Sequence, residues 1–239
     1  MPSLAIADLP PHHAIPGFDD LGLAVFVTTR AAGTFGFPEQ GDAPEASARW
    51  EALQRTLAAS GAPRLASARQ VHGMQVLRHE PRWEGWVRHP GADGHLLFGA
   101  GGLAVTIADC VPVFLAHEDG PVGVVHAGWR GVAGGILGEA VRALDAAGFP
   151  AAGLRVHCGP AICGRCYEVG PEVYRDLTGL EPHRPRQVDL RALLGAQARS
   201  LGVGRWSSDL DCTRCDNDRF FSHRAGDAGR QIGVIVRSA

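Results

Sequence analysis

Two apolar runs, residues 103–108 (LAVTIA) and 121–125 (PVGVV), flank the turn-forming stretch Glu118-Asp119-Gly120, and no other feature constrains the fold of this chain as tightly. The spacing predicts a β-hairpin whose first strand resumes at residues 113–116. Pro112 removes a ladder donor just before that point and predicts a break or bulge. Folding about residues 118–119 sets Cys110 opposite residues 126–128. One end of a sheet therefore presents a thiol and, in His126, an imidazole.

Three short glycine-rich or polar segments carry the chemistry: RQVHG at 69–73, ADC at 108–110 and HAGWRG at 126–131. His72, Cys110 and His126 make a set of two imidazoles and one thiolate. Three protein ligands leave zinc the open position that catalytic sites keep and structural sites fill. Glycines follow both histidines closely, as His72-Gly73 and His126-Ala127-Gly128, and let backbone approach a ligand. Nothing local brings His72 to the other two. The same residues allow other readings. Cys110 can be a small buried hydrophobe, a strand-end histidine can cap backbone, and Cys110 can serve as a nucleophile with His126 as its base.

The 239 residues, 45% of them hydrophobic, intersperse strands and helices with no repeat and no low-complexity linker, so one α/β domain spanning 1–239 is expected. A net charge of −2 argues against nucleic acid or an anionic membrane as partner, and for a small molecule. No run approaches the roughly eighteen apolar residues of a membrane span, and the N-terminus lacks a charged and then apolar leader pattern. A cytoplasmic location is expected. Six cysteines in a chain this long predict reduced thiols, not a disulfide scaffold.

Along the chain, the pattern predicts a strand at 21–29, a glycine-bearing loop at 30–42 and an amphipathic helix at 44–60 ended by Gly61. A strand is expected at 69–77, then a long loop at 79–95 whose Trp83 and Trp86 pack inward. A helix at 132–147, with Gly148 as its C-cap, follows HAGWRG. Strands at 154–158 and 202–207, helices from Pro171 and at 189–201, and a terminal strand complete the reading. A strand, a glycine-rich turn bearing Arg130 and a helix can also form an anion site, although the P-loop pattern is missing.

As a whole the chain resembles the laccase-domain family, whose members are also described as polyphenol oxidases, peptidoglycan-editing factors and purine nucleoside phosphorylases. The resemblance is carried by TTRAAG at 28–33, RQVHG, ADCVP at 108–112, HAGWRG, GPAI with CYEVG within 159–170, and CT, FFSHR and GR within 212–230. It implies a single-domain, layered α/β/β/α fold with mixed sheets and a zinc site of His72, Cys110 and His126. It also implies phosphorolysis of adenosine, inosine, guanosine and methylthioadenosine, deamination of adenosine, and, among bacterial members, a cell-wall editing role. The chain departs from the family pattern in its short GTFGFPEQGD segment, in Arg49-Trp50 and in Ser222-His223-Arg224-Ala225. The metal ligands survive these departures, which fall on the substrate-facing rim.

Deamination would use zinc to activate water toward C6, with Asp109 as the candidate proton carrier or, alternatively, a residue that orients a ligand or caps backbone. Phosphorolysis needs a phosphate held against C1′, for which Arg30, Gln70, Arg130 and the GWRG amides are the candidates. The expected partners are a nucleoside and phosphate. A multicopper oxidase fits poorly, because the eleven histidines include no His-x-His pair, although copper can displace zinc on raw affinity. Finally, Cys163-x-x-Cys166 and Cys212-x-x-Cys215 have the spacing of two zinc knuckles and would make a second, structural tetrathiolate site.

Overall fold

The computed structural model describes residues 6–38 and 43–239; residues 1–5 and 39–42, the latter closing the predicted 30–42 loop, lie outside the described residues. In chain order the first strands are β1 (His12–Ala14), β2 (Leu23–Thr28), β3 (Arg64–Ala68), β4 (Val76–His79), β5 (Gly85–His89), β6 (Gly94–Leu97) and β7 (Gly101–Ile107). They are followed by β8 (Val111–His117), β9 (Val122–Ala127), β10 (Leu154–Cys158), β11 (Glu168–Val169), β12 (Arg186–Gln187), β13 (Arg205–Ser208) and β14 (Gln231–Arg237). The helices are α1 (Pro44–Ala59), α2 (Trp129–Gly134), α3 (Ile136–Asp145), α4 (Pro171–Thr178) and α5 (Leu190–Ser200).

Two six-stranded mixed sheets dominate, ordered β1-β2-β14-β7-β3-β5 and β13-β10-β8-β9-β6-β4. Strand alternation explains how they stack. Val25 and Val27 of β2, Leu103 and Val105 of β7, Phe114 of β8 and Val124 of β9 meet in one apolar layer between the sheets. The alternate residues face outward. Phe26, Ala104 and Val234 pack under Trp50, Leu53 and Leu57 of α1, while Val113, Leu115 and Val125 pack under Ile136, Leu137 and Leu144 of α3 and Leu194 of α5. The result is the α/β/β/α layering that the family resemblance implies. Among the described residues no helix is long and apolar enough to cross a membrane.

The central hairpin forms with the expected register, Pro112 opposite His126 and Val113 opposite Val125. Its first strand is a different matter. Residues 103–108 and 113–116 do not make one interrupted strand, because β7 lies in the first sheet and β8 in the second, and the chain crosses between them at residues 108–110. The break precedes Pro112, which sits inside β8. Its carbonyl accepts from Gly159 N at 2.9 Å, just past the last β10 pair, Cys158 with Val113, so the missing N–H costs at most a terminal rung.

Three further expectations are corrected. The strand expected at 69–77 forms only at its end, because β3 stops at Ala68, RQVHG forms the loop that follows and β4 starts at Val76. The 79–95 segment is not a loop, since it contains β5 and the start of β6. Its tryptophans do pack inward, Trp86 stacking on Trp50 at 5.2 Å and Trp83 lying against the inter-sheet layer. The helix predicted at 132–147 begins earlier, at Trp129, and is split into α2 and α3 at Gly135, whose φ of 83° breaks the helical path.

A histidine cluster lies beneath β4 and β6. His79 Nε2 is 2.9 Å from His95 Nδ1, and the His89 ring centroid is 5.1 Å from that of His79. Burial, reinforced by the neighbouring imidazoles, lowers His79 to about 4 and His95 to about 3. The unfolded chain therefore takes up protons first as the pH drops below the ordinary histidine range, and stability falls with acidification. Between pH 6.5 and 5 each of these two histidines is expected to remove up to about 1.4 kcal/mol per pH unit from the unfolding free energy. Urea titrations at several pH values check this, and a His79→Gln/His95→Gln protein should show a visibly shallower dependence; equal slopes would refute the assignment.

Candidate functional site

The site is built at the seam between the sheets. Where the chain crosses at residues 108–110, Asp109 adopts φ 83°, a left-handed conformation that aspartate tolerates better than most side chains. Three other segments hold it there. Its Oδ1 accepts from Thr213 Oγ1 at 2.6 Å, its Oδ2 accepts from Arg224 N at 2.7 Å, and its carbonyl accepts from Ile162 N at 3.0 Å. The corner delivers Cys110, half-buried, to the position level with Gly128, one step beyond the Val111–Ala127 pair.

His72 arrives by a different device. Asp93, fully buried directly before β6, accepts from the consecutive amides of Val71 (3.2 Å), His72 (2.9 Å) and Gly73 (2.7 Å). The loop closes around the carboxylate with His72 at φ 56°. The same carboxylate lies 2.9 Å from Nδ1 of His126, which donates to it and leaves Nε2 as the free ligand atom. Hydrogen bonds from His126 and the amides outweigh burial and keep Asp93 below the usual carboxylate range. Sequence reasoning missed this residue. Its one trace was an acid set between Ala92 and Gly94 in what read as loop.

The candidate ligand atoms of His72, Cys110 and His126 all lie within 4.8 Å of one another. The two imidazoles are nearly perpendicular, at 82°, with centroids 4.9 Å apart. His126 is buried, Cys110 half-buried and His72 exposed, so the cluster opens toward solvent on one side. Burial alone would push the Cys110 thiol up, but the charge of His126 and hydrogen bonds from both histidines bring it down to about 6. Burial would likewise depress His126, yet Cys110 and Asp93 raise it to about 9. A thiolate with two imidazoles is a donor set that suits zinc, and the solvent-facing side is the open position of a three-ligand site. Gly128 makes the space: a Cβ there would stand 3.1 Å from Cys110 Sγ and 3.2 Å from His72 Cδ2.

Of the remaining sequence candidates, Arg130 is exposed beside the cluster. Its guanidinium stacks on Trp129 at 4.3 Å and, among the described residues, pairs with no carboxylate. Arg30 and Gln70, expected to face substrate, are engaged elsewhere. Arg30 binds Asp227 at 2.7 Å and the Asn217 carbonyl at 2.9 Å, bracing the C-terminal loop. Gln70 locks its amide to Thr106 of β7, donating to the carbonyl at 2.7 Å and accepting from the amide at 2.7 Å. Asp109, with both oxygens engaged, sits in the backbone-holding arrangement. Tyr167 belongs to the rim and was not singled out from sequence. Burial and the negative charge of Cys110 raise its hydroxyl to about 12, and Arg224 stacks over its ring at 5.0 Å. Val71 and Met74, 54% and 45% exposed, flank His72 on the other side. The sulfurs of Cys163, Cys166, Cys212 and Cys215 also come together, within 4.8 Å of one another.

Residues 32–238 match the family described as multi-copper polyphenol oxidoreductase laccase. A protein of Streptomyces coelicolor named purine nucleoside phosphorylase is 35% identical over 205 residues, 82% of this chain and 84% of that one. An adenosine deaminase from an unknown prokaryotic organism is 34% identical over 151 residues, 56% of this chain and 58% of its own length. The crystal structure of YlmD from Geobacillus stearothermophilus is similar with a TM-score of 0.81 at 28% identity, covering 91% of this chain and 93% of that one.

The Asp93 arrangement predicts that Asp93→Ala, which strands three amide donors and frees the His126 ring, lowers zinc affinity about 10- to 100-fold. It should also cost about 3 kcal/mol or more of stability. Competition against a chromophoric chelator and urea unfolding measure the two losses, and wild-type affinity in the variant would contradict the role given to Asp93. Gly128→Val, which fills the space between Cys110 and His72, should weaken zinc at least about tenfold while leaving the rest of the fold intact by circular dichroism.

Proposed function

The chain belongs to the multi-copper polyphenol oxidoreductase laccase family, and from that premise we propose that it is a zinc-dependent purine nucleoside enzyme. The reactions proposed are phosphorolysis of adenosine, inosine, guanosine and methylthioadenosine, and deamination of adenosine. The observation that carries the reading is the open cluster of His72, Cys110 and His126 beneath a rim that offers both aromatic and cationic side chains. The names of its relatives, purine nucleoside phosphorylase and adenosine deaminase, point the same way. The family description names copper, and two imidazoles with one thiolate are a donor set that copper shares with zinc. The other metal-ready groups among the described residues are the four cysteines and His13 with Asp209 and Asp211, so the histidine-only group that a multicopper oxidase also needs is not among them.

Zinc held by His72, Cys110 and His126 would supply Lewis acidity at the open side of the cluster. The chain's own residues do the rest. Arg130, without a carboxylate partner among the described residues, and the amides that open α2 hold phosphate against C1′ of the ribose. As a phosphate oxygen forms its bond to C1′, the glycosidic C–N bond breaks and its electron pair leaves with the purine. Tyr167, protonated at neutral pH, donates a hydrogen bond to the departing base, and Trp129 offers its ring to the purine face. In deamination, water adds at C6 and ammonia leaves, with the same rim holding the base. Asp93 fixes the His126 tautomer throughout.

A second reading has a specific observation in its favour. Cys110, His126 and Asp93 line up as thiolate, imidazole and orienting carboxylate, the arrangement of a cysteine hydrolase such as an editing activity on peptidoglycan precursors would use. Two measurements separate the readings. Base release from a nucleoside panel, followed with and without phosphate, is expected to require phosphate and to fall about 100-fold or more in His72→Ala. Stoichiometric zinc should protect Cys110 from iodoacetamide. Absence of both base release and deamination across the nucleoside panel, or undiminished alkylation with zinc bound, would favour the hydrolase.

A further inference from the structure

We propose that Cys163, Cys166, Cys212 and Cys215 hold a second zinc ion in a tetrathiolate shell, a structural site that does not depend on the reading of the His72–Cys110–His126 cluster. The two CxxC segments stand far apart in sequence, one after β10 and the other after β13, yet all four sulfurs lie within 4.8 Å of one another. Four sulfurs at tetrahedral corners around zinc stand about 3.8 Å apart, given a Zn–S bond of about 2.3 Å. Cys166 Sγ and Cys215 Sγ are 3.5 Å apart, close to that edge and well beyond a disulfide bond.

The backbone around the sulfurs adds an independent argument. Both segments read Cys-x-Arg-Cys, and each makes a tight turn, Cys166 N donating to Cys163 O and Asp216 N to Cys212 O, both at 2.9 Å. Cys212 Sγ accepts two amides, from Cys163 at 3.2 Å across the loops and from Cys215 at 3.4 Å within its own. A neutral thiol is a weak acceptor, whereas a metal thiolate calls for such donors. Arg165 and Arg214 occupy the same place in the two turns and offset the negative charge of a four-thiolate zinc shell, and Arg214 donates to Cys166 O at 3.4 Å. With four protein ligands the shell is closed, as in structural sites.

The placement gives the ion a task. Tyr167 follows Cys166 directly, and Thr213, which holds Asp109, follows Cys212. Joining the two loops fixes one wall of the candidate active site without contacting substrate. Elemental analysis of the purified protein should find two zinc per chain, falling to one in Cys163→Ser/Cys215→Ser and to one in His72→Ala/His126→Ala. The cysteine variant should also melt about 5–10 °C lower. If that variant does not fold, X-ray absorption at the zinc edge of the wild-type protein decides, since two sites give a sulfur-dominated shell and the histidine–cysteine site alone gives a nitrogen- and oxygen-dominated one. One zinc per chain with the four thiols freely alkylated in the native protein, disulfides among them, or iron in place of zinc would each overturn the proposal.

Discussion

A single buried carboxylate organises the centre of this protein. Taking Asp93 out of water costs several kcal/mol, and four hydrogen bonds to its two oxygens offset that cost, three from consecutive amides and one from an imidazole. Charge-assisted bonds of this kind contribute about 1.5–3 kcal/mol each. The three amides converge on the carboxylate as a nest, in which one residue of the loop turns left-handed. His72 therefore sits at positive φ. The fourth bond fixes which nitrogen of His126 is free. One interaction thus sets both the position of one imidazole and the tautomer of the other.

The second constraint is topological. Because β7 and β8 belong to different sheets, the chain must cross the inter-sheet layer in three residues, and Cys110 is the last of them. A turn that abrupt leaves backbone groups without ladder partners, and Asp109 gathers donors from the 161–162, 213 and 224 segments to satisfy them. The segments that hold Asp109 also carry the rim. Arg224 stacks on Tyr167, and the loop bearing Arg224 is in turn braced by Arg30 through Asp227 and by Gln231 through the Phe221 backbone. Arg30 and Gln70 matter to the site as supports, one behind the C-terminal loop and one behind RQVHG.

How much of this was legible in the sequence follows from the range of each interaction. The hairpin was readable because alternation and a turn signal are local, and the pairing of Cys110 with the Gly128 position followed from counting residues. The sheet change was not, since apolar alternation runs on through 103–116 whichever sheet each half joins. RQVHG looked like a strand because Val71, Gln75, Val76 and Leu77 suit one, and the positive φ at His72 is imposed by a carboxylate about twenty residues away in sequence. β5 and β6 were hidden by the His, Pro, Gly and Trp around them, and both gain their order from pairing with distant strands. The ligand types were in the sequence; the device that assembles them was not.

The anchoring also separates two properties that a metal site usually entangles. The ligand cluster is held from below by Asp93, Gln70 and the hairpin register, all of them buried or half-buried interactions. The rim is supplied from above by four separate segments, which carry Val71 and Met74, Trp129 and Arg130, Tyr167, and Arg224. Exchanging rim side chains leaves the support of His72, Cys110 and His126 untouched, so under the proposed function substrate preference could change while the chemistry of a bound metal stayed. A family whose members carry the names of a phosphorylase and a deaminase is what such an arrangement allows. On the proposed reading both reactions would ask the cluster for an electrophile beside a purine nucleoside, and they would differ in whether phosphate at C1′ or water at C6 is brought to it.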